Sequence, residues 1–195
     1  GSLLLVLADV SGHGVGPAIV TASLHARFHS LSELSSDLPQ MLKTLNARLF
    51  RETAGEMLIT LIAARIDPQS RTLTCVNAGH PSGCVLAADG AVKAEFSSGS
   101  PPLALLPDVE FAASSPVRLA DGDLLFLFTD GLSEAHRPQG PMWGTAPALQ
   151  IVRENRDKTG SEIIDALYGG VREYLGPDKP HDDITLVVVK VGPKP

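Results

Sequence analysis

Two apolar runs, each ending in aspartate, frame the pattern of hydrophobic and polar positions along the chain. Leu3 to Leu7 is too short for a buried helix and leads into Asp9 and a glycine-rich turn. It predicts a strand covered on both faces. Leu124 to Phe128 repeats the arrangement and runs into Thr129-Asp130-Gly131. After the first run, apolar positions recur at helical spacing over 18–34, where Ala18, Ala22 and Ala26 permit close packing. Asp37 before Leu38-Pro39 reads as the N-cap of a second helix reaching about Thr53, with Leu38, Met41, Leu42, Leu45 and Leu49 as its core face.

The period then changes from helical to extended. Strands are predicted over 57–66, 71–77, 83–88 and 92–96, separated by the turns Asp67-Pro68-Gln69-Ser70, Ala78-Gly79-His80-Pro81 and Ala88-Asp89-Gly90. Together they read as an antiparallel meander. Residues 97–107, rich in Ser, Gly and Pro, form a loop, followed by short strand candidates at 109–111 and 116–119. Beyond Asp130 come an irregular flap over 138–147 carrying Trp143, helices over 147–155 and 161–175 with Ser161 as the N-cap of the second, and a closing strand over 184–191.

With 195 residues, 44% of them hydrophobic, the chain suffices for one domain over 1–195 with an ample core. A net charge of −6 argues against a general nucleic-acid or anionic-membrane surface. No apolar run reaches the roughly 18 residues of a membrane span, and no signal peptide is visible, so a cytoplasmic location is the default expectation. Cys75 and Cys84 flank the predicted hairpin turn at 78–81, could face each other across its strands, and are expected as reduced, packed thiols. His25 and His29 stand one helical turn apart without the glutamate of an H-E-x-x-H pattern, and read as exposed helix polars.

The candidate chemistry lies at the ends of strands. Glycines at 12, 14 and 16 suit a tight loop opening a helix, where backbone N–H groups favour anions. Their spacing is not that of a dinucleotide fingerprint, and no Gly-Lys-Ser/Thr follows. Asp9 and Asp130 end apolar strands, while Asp182 and Asp183 precede one. If those strands are neighbours, with the last antiparallel to the others, the carboxylates gather at one sheet edge. Converging carboxylates then need a counter-cation, and an all-oxygen set selects Mg²⁺ or Mn²⁺. Such ions activate water and neutralise a phosphoryl group, with no covalent Ser or Cys nucleophile required. The competing reading is that each aspartate caps its own strand or turn.

Four blocks, in order, resemble the SpoIIE/RsbU family of bacterial metal-dependent (type 2C-like) serine/threonine phosphatases. They are Ala8-Asp9-Val10-Ser11-Gly12-His13-Gly14, Val76-Asn77-Ala78-Gly79-His80-Pro81, Phe128-Thr129-Asp130-Gly131-Leu132-Ser133-Glu134-Ala135, and Asp182-Asp183-Ile184-Thr185-Leu186-Val187-Val188. The resemblance implies an α+β fold of two stacked antiparallel β-sheets flanked by helices, with two Mn²⁺ or Mg²⁺ ions. It implies that Asp9 bridges the ions, that the Val10 carbonyl ligates one, and that Asp130 and Asp182, rather than Asp183, hold the other. His13 is implied either as a phosphate contact or proton donor, or as a structural loop residue; His80 is expected as a turn residue. The family places a Gly-Gly-Asp-type acidic motif on strands before the first block, so the chain is expected to lack N-terminal strands and one metal-binding carboxylate. The implied activity is hydrolysis of phosphoserine or phosphothreonine on a small regulatory protein of the anti-sigma-factor-antagonist type, under an upstream sensor or receiver domain. The rival is a catalytically silent module that grips such a partner.

Overall fold

The computed structural model describes residues 1–193; Lys194 and Pro195, included in the predicted 1–195 domain, lie outside the described residues. Close contacts divide the chain into two compact units. The first comprises Gly1–His80 and Phe96–Arg118, the second Pro81–Glu95 and the chain from Leu119 onward.

The first unit contains strand β1 (Leu3–Val10), helices α1 (Val15–Leu34) and α2 (Leu38–Thr53), and strands β2 (Ile59–Asp67), β3 (Thr72–Ala78) and β6 (Val117–Arg118). The strands form an antiparallel sheet in the order β1-β2-β3-β6. Helix α2 starts as predicted: the Asp37 carboxylate accepts from the Gln40 N–H at 3.2 Å, and Pro39 stands in the first turn. Its predicted core face, Leu38, Met41, Leu42, Leu45 and Leu49, is buried with Leu24 and Phe28 of α1 and with Leu61, Ala63 and Val76 of the sheet. Asn46 lies buried on the same helix and accepts from the Ala104 N–H while donating to the Leu106 carbonyl, which ties the 97–107 loop to α2.

β1 departs from expectation. It is an outer strand of its sheet, only Leu7 is fully buried, and Leu3 and Val6 stay 45% and 39% exposed. A continuous apolar run says that a strand is apolar on both faces, not that both are covered. Val109 and Phe111, read as a short strand, lie outside any strand, yet their side chains are buried in the same core.

The second unit contains β4 (Gly83–Leu86), β5 (Val92–Phe96, whose last residue belongs to the first unit), β7 (Leu124–Phe128), helices α3 (Asp130–Ser133), α4 (Thr145–Glu154) and α5 (Gly160–Leu175), and β8 (Leu186–Lys190). Its sheet order is β5-β4-β7-β8, and β7 is antiparallel to both β4 and β8. All five residues of β7 are buried, as its pattern predicts. Phe126 and Phe128 stack at 5.0 Å and pack with Val152 of α4 and with Ile163, Leu167 and Val171 of α5.

The α+β class and the two antiparallel sheets are as expected, but the predicted meander is broken. β3 and β4 belong to different sheets, because the chain leaves one sheet at Ala78–His80 and enters the other at Gly83. Cys75 and Cys84 therefore do not face each other across a hairpin. Each is a buried free thiol, its pKa pushed up by burial to about 12 and about 11 respectively. The cap of α5 is also two residues earlier than expected. Thr159, not Ser161, accepts from the Glu162 N–H at 3.3 Å, and the Glu162 carboxylate accepts from the Thr159 N–H at 2.9 Å, a reciprocal capping box.

Candidate metal centre

β7 emerges from the core at Thr129, and α3 begins at once with Asp130. The antiparallel partner β8 brings its preceding segment to the same end of the sheet, since Phe128 pairs with Leu186. Three interactions fix that segment. Thr129 donates its N–H to the Thr185 carbonyl at 3.1 Å, donates its hydroxyl to the Asp183 carbonyl at 3.2 Å, and accepts from the Thr185 N–H at 3.0 Å. The hydroxyl is thus engaged across strands and does not cap α3.

Gly131 completes the close approach. A Cβ at this position would lie 2.3 Å from the Asp183 carbonyl oxygen, closer than any side chain tolerates. The glycine is required by packing against the Asp182-Asp183 segment. The signal that could have identified it is a glycine inside a helical first turn, where it has no conformational use.

Asp130 and Asp182 are brought together as predicted: a carboxylate oxygen of one lies within 4.8 Å of a carboxylate oxygen of the other. Asp130 is half-buried and its Oδ1 is buried without a hydrogen-bond partner, whereas Oδ1 of exposed Asp182 accepts from the Asp183 N–H at 2.7 Å. A buried carboxylate oxygen with no donor is costly unless a cation or water meets it. Two acidic groups so close repel one another unless an ion lies between them. Their oxygens therefore fit a hard divalent cation.

The other predicted residues lie in the first unit, at the C-terminal end of β1. Asp9 pairs with Thr60 and Val10 with Ile59 in the register of β1 and β2. β1 is not in the same sheet as β7 and β8, so the expectation that these strand ends lie along one sheet edge is not met. The glycine loop is pinned where the Ser11 N–H donates to the Leu58 carbonyl at 3.0 Å and the Ser11 hydroxyl accepts from the Leu58 N–H at 3.1 Å. Gly12 and Gly14 have φ of 90° and 95°, which glycine alone adopts readily. His13, between them, is exposed, and α1 begins after Gly14 with no side-chain cap.

His80 is a buried turn residue: its Nδ1 lies 2.8 Å from the Thr60 hydroxyl, and its backbone is held at both ends by the Asn77 side chain. His25 and His29 are exposed on α1, and His29 faces Glu33 at 3.6 Å. A groove of about 750 Å³ adjoins Asp182, lined among others by Tyr168 and Arg172 of α5 and by Lys179 and His181.

Residues 1–192 match the family model described as Stage II sporulation protein E (SpoIIE). The chain is 25% identical over 190 residues to phosphoserine phosphatase RsbU of Bacillus subtilis, covering 97% of this chain and 56% of RsbU. It is 31% identical over 134 residues to phosphoserine phosphatase RsbP of the same organism, covering 67% of this chain and 33% of RsbP. The chain thus spans about half of RsbU and a third of RsbP. Among solved structures, the SiaA-PP2C domain of Pseudomonas aeruginosa matches with a TM-score of 0.82 at 24% identity, covering 96% of this chain and 75% of that one. The PP2C phosphatase domain of SpoIIE from Bacillus subtilis matches at 0.79 and 22% identity, covering 97% and 55%. With residues 1–192 matched by the family model, the chain belongs to the SpoIIE family, and it shares the fold of PP2C phosphatase domains.

Proposed function

We propose that this chain is a single SpoIIE-type catalytic domain, a metal-dependent protein serine/threonine phosphatase of bacterial signalling. The observation that carries the reading is the buried, unpartnered Oδ1 of Asp130 beside the carboxylate of Asp182. By the likeness of its sequence block to the family's, Asp9 is assigned as a further carboxylate ligand and the Val10 carbonyl as another. Held there, Mn²⁺ or Mg²⁺ would neutralise a phosphoryl group and lower the pKa of an attacking water. A relative by fold, RsbX, was crystallised in complex with magnesium, which supports the choice of a divalent cation.

The chain's own residues have distinct tasks. Asp130 and Asp182, locked by Thr129 and Gly131, keep their oxygens fixed so that little reorganisation is needed when charge develops. His13, exposed on the loop that opens α1, contacts phosphate or delivers a proton to the departing serine oxygen. Neither task requires a phosphorylated side chain.

The substrate is phosphoserine or phosphothreonine on a small regulatory protein of the anti-sigma-factor-antagonist type. The names of RsbU and RsbP as phosphoserine phosphatases support phosphoserine as the group removed. The groove beside Asp182 offers room for polypeptide flanking the phosphorylated residue. A sensor or receiver domain in the same protein controls the activity, and the domain works in the cytoplasm. No described helix is long and apolar enough to cross a membrane.

The test is release of phosphate from a phosphoserine peptide with Mn²⁺, with chelator, and after Mn²⁺ or Mg²⁺ is restored. The proposal expects turnover, its loss and its return, with no phosphoryl-enzyme. Trapping phosphate on Ser11 or His13 would contradict it. A peptide that binds without release would favour a silent binding module.

A further inference from the structure

Two imidazoles beside the centre have no part in the scheme above. His136, between α3 and the 138–147 flap, stacks on His181, the residue before Asp182, with ring centroids 4.4 Å apart and planes 26° from parallel. Nδ1 of His136 lies 2.7 Å from the Glu134 carbonyl oxygen. A carbonyl only accepts, so this nitrogen carries the proton.

The flap is itself well anchored. The Trp143 N–H donates to the Ala135 carbonyl and the Gly144 N–H to the Ser133 carbonyl, each at 2.8 Å, and His136 bridges to Met142. The Arg137 guanidinium donates to the carbonyls of Tyr174 and Glu173 at the end of α5. By contrast, the stretch from Lys179 to His181 lies in no helix or strand. Asp182 is thus reached from one side by the Thr129 clamp on Asp183 and from the other by a loop whose last side chain rests on His136.

We infer that His136 is a positioning residue for Asp182: its ring, carried on a backbone anchored to Met142 and the start of α4, seats His181 by stacking and so sets the carboxylate one residue on. This deepens the proposed function, resting on Asp182 as a metal ligand, and assigns the flap a role in preparing the centre. Removing a group hydrogen-bonded to a metal ligand typically changes metal affinity about 10–100-fold, and a support one residue removed is expected at the low end of that range.

The test compares His136→Ala with His136→Phe, which keeps a flat ring but no ring nitrogen. Two readouts are used: Mn²⁺ affinity by calorimetry, and the ring-current shift of the His181 ring protons in metal-free protein. His136→Ala should lose the shift and weaken Mn²⁺ binding about tenfold. His136→Phe should keep the shift and bind within about twofold of wild type. Unchanged affinity in His136→Ala with wild-type binding intact would overturn the inference while leaving Asp182 as a ligand. Equal weakening in both variants would overturn stacking as the means of positioning, in favour of a role for the ring nitrogens. Failure of the wild-type chain to bind Mn²⁺ would overturn the metal reading itself and this inference with it.

Discussion

The backbone of Gly131 lies so close to Asp183 that a methyl group on the glycine would stand 2.3 Å from the Asp183 carbonyl oxygen. The contact joins the start of α3 to the segment that carries Asp182. Gly131→Ala should therefore push that segment away, costing about 1–3 kcal/mol as an overpacked site. It should also weaken Mn²⁺ binding. Denaturant unfolding and calorimetric titration of the same variant check the two effects, and a variant with wild-type stability and affinity would show that the contact is not tight.

Thr129 acts through its hydroxyl rather than its shape. Thr129→Val keeps the volume but removes both hydroxyl hydrogen bonds, to the Asp183 carbonyl and from the Thr185 N–H. A net hydrogen bond is worth about 0.5–1.5 kcal/mol, so a loss of about 1–3 kcal/mol is expected, with Thr129→Ser close to wild type. Equal stability of the valine and serine variants in urea would remove the hydroxyl from the account.

The elements were legible where local chemistry decides them. The Asp37 cap and the periodic leucines mark α2 from Leu38 to Thr53, and alternation after an Asp-Gly turn marks β5 from Val92 to Phe96. Sheet membership was not legible, because the turn after Ala78 carries the same residues whether β4 returns beside β3 or joins another sheet. The misplacement of Cys75 against Cys84 follows from that single ambiguity. The exposure of β1 was missed for a related reason, since an apolar run reports the side chains and not their cover. At the site, the carboxylates of Asp130 and Asp182 were readable from strand ends. Thr129 and Gly131, whose work depends on a partner 52–56 residues away, were not.

The two thiols give a prediction about reactivity. Burial raises the Cys75 pKa to about 12 and the Cys84 pKa to about 11, so the thiolate is scarce at pH 8 in the folded chain. Both cysteines should react with an aromatic disulfide reagent only at the rate of unfolding. Because the folded values are raised, stability is fully present below the ordinary thiol range and declines as pH rises through the folded values. Rapid stoichiometric labelling of native protein at pH 8 would contradict the burial of both groups.

Helix α5 carries the second unit's core face, and its capping box anchors its start. Thr159→Ala should cost about 0.5–2 kcal/mol, whereas Ser161→Ala should cost little, because Thr159 rather than Ser161 makes the cap. Thermal unfolding of the two variants distinguishes them, and the reverse order would restore Ser161 as the cap.

The central claim is that Asp130 contributes charge to a divalent-cation site. Asp130→Asn keeps the shape of the side chain and removes that charge. Calorimetric titration of wild type and Asp130→Asn with Mn²⁺, with circular dichroism to establish that both are folded, tests it most directly. The account predicts binding by the wild type and at least a roughly tenfold weaker affinity in a folded Asp130→Asn variant. Equal affinities in two equally folded proteins would contradict it.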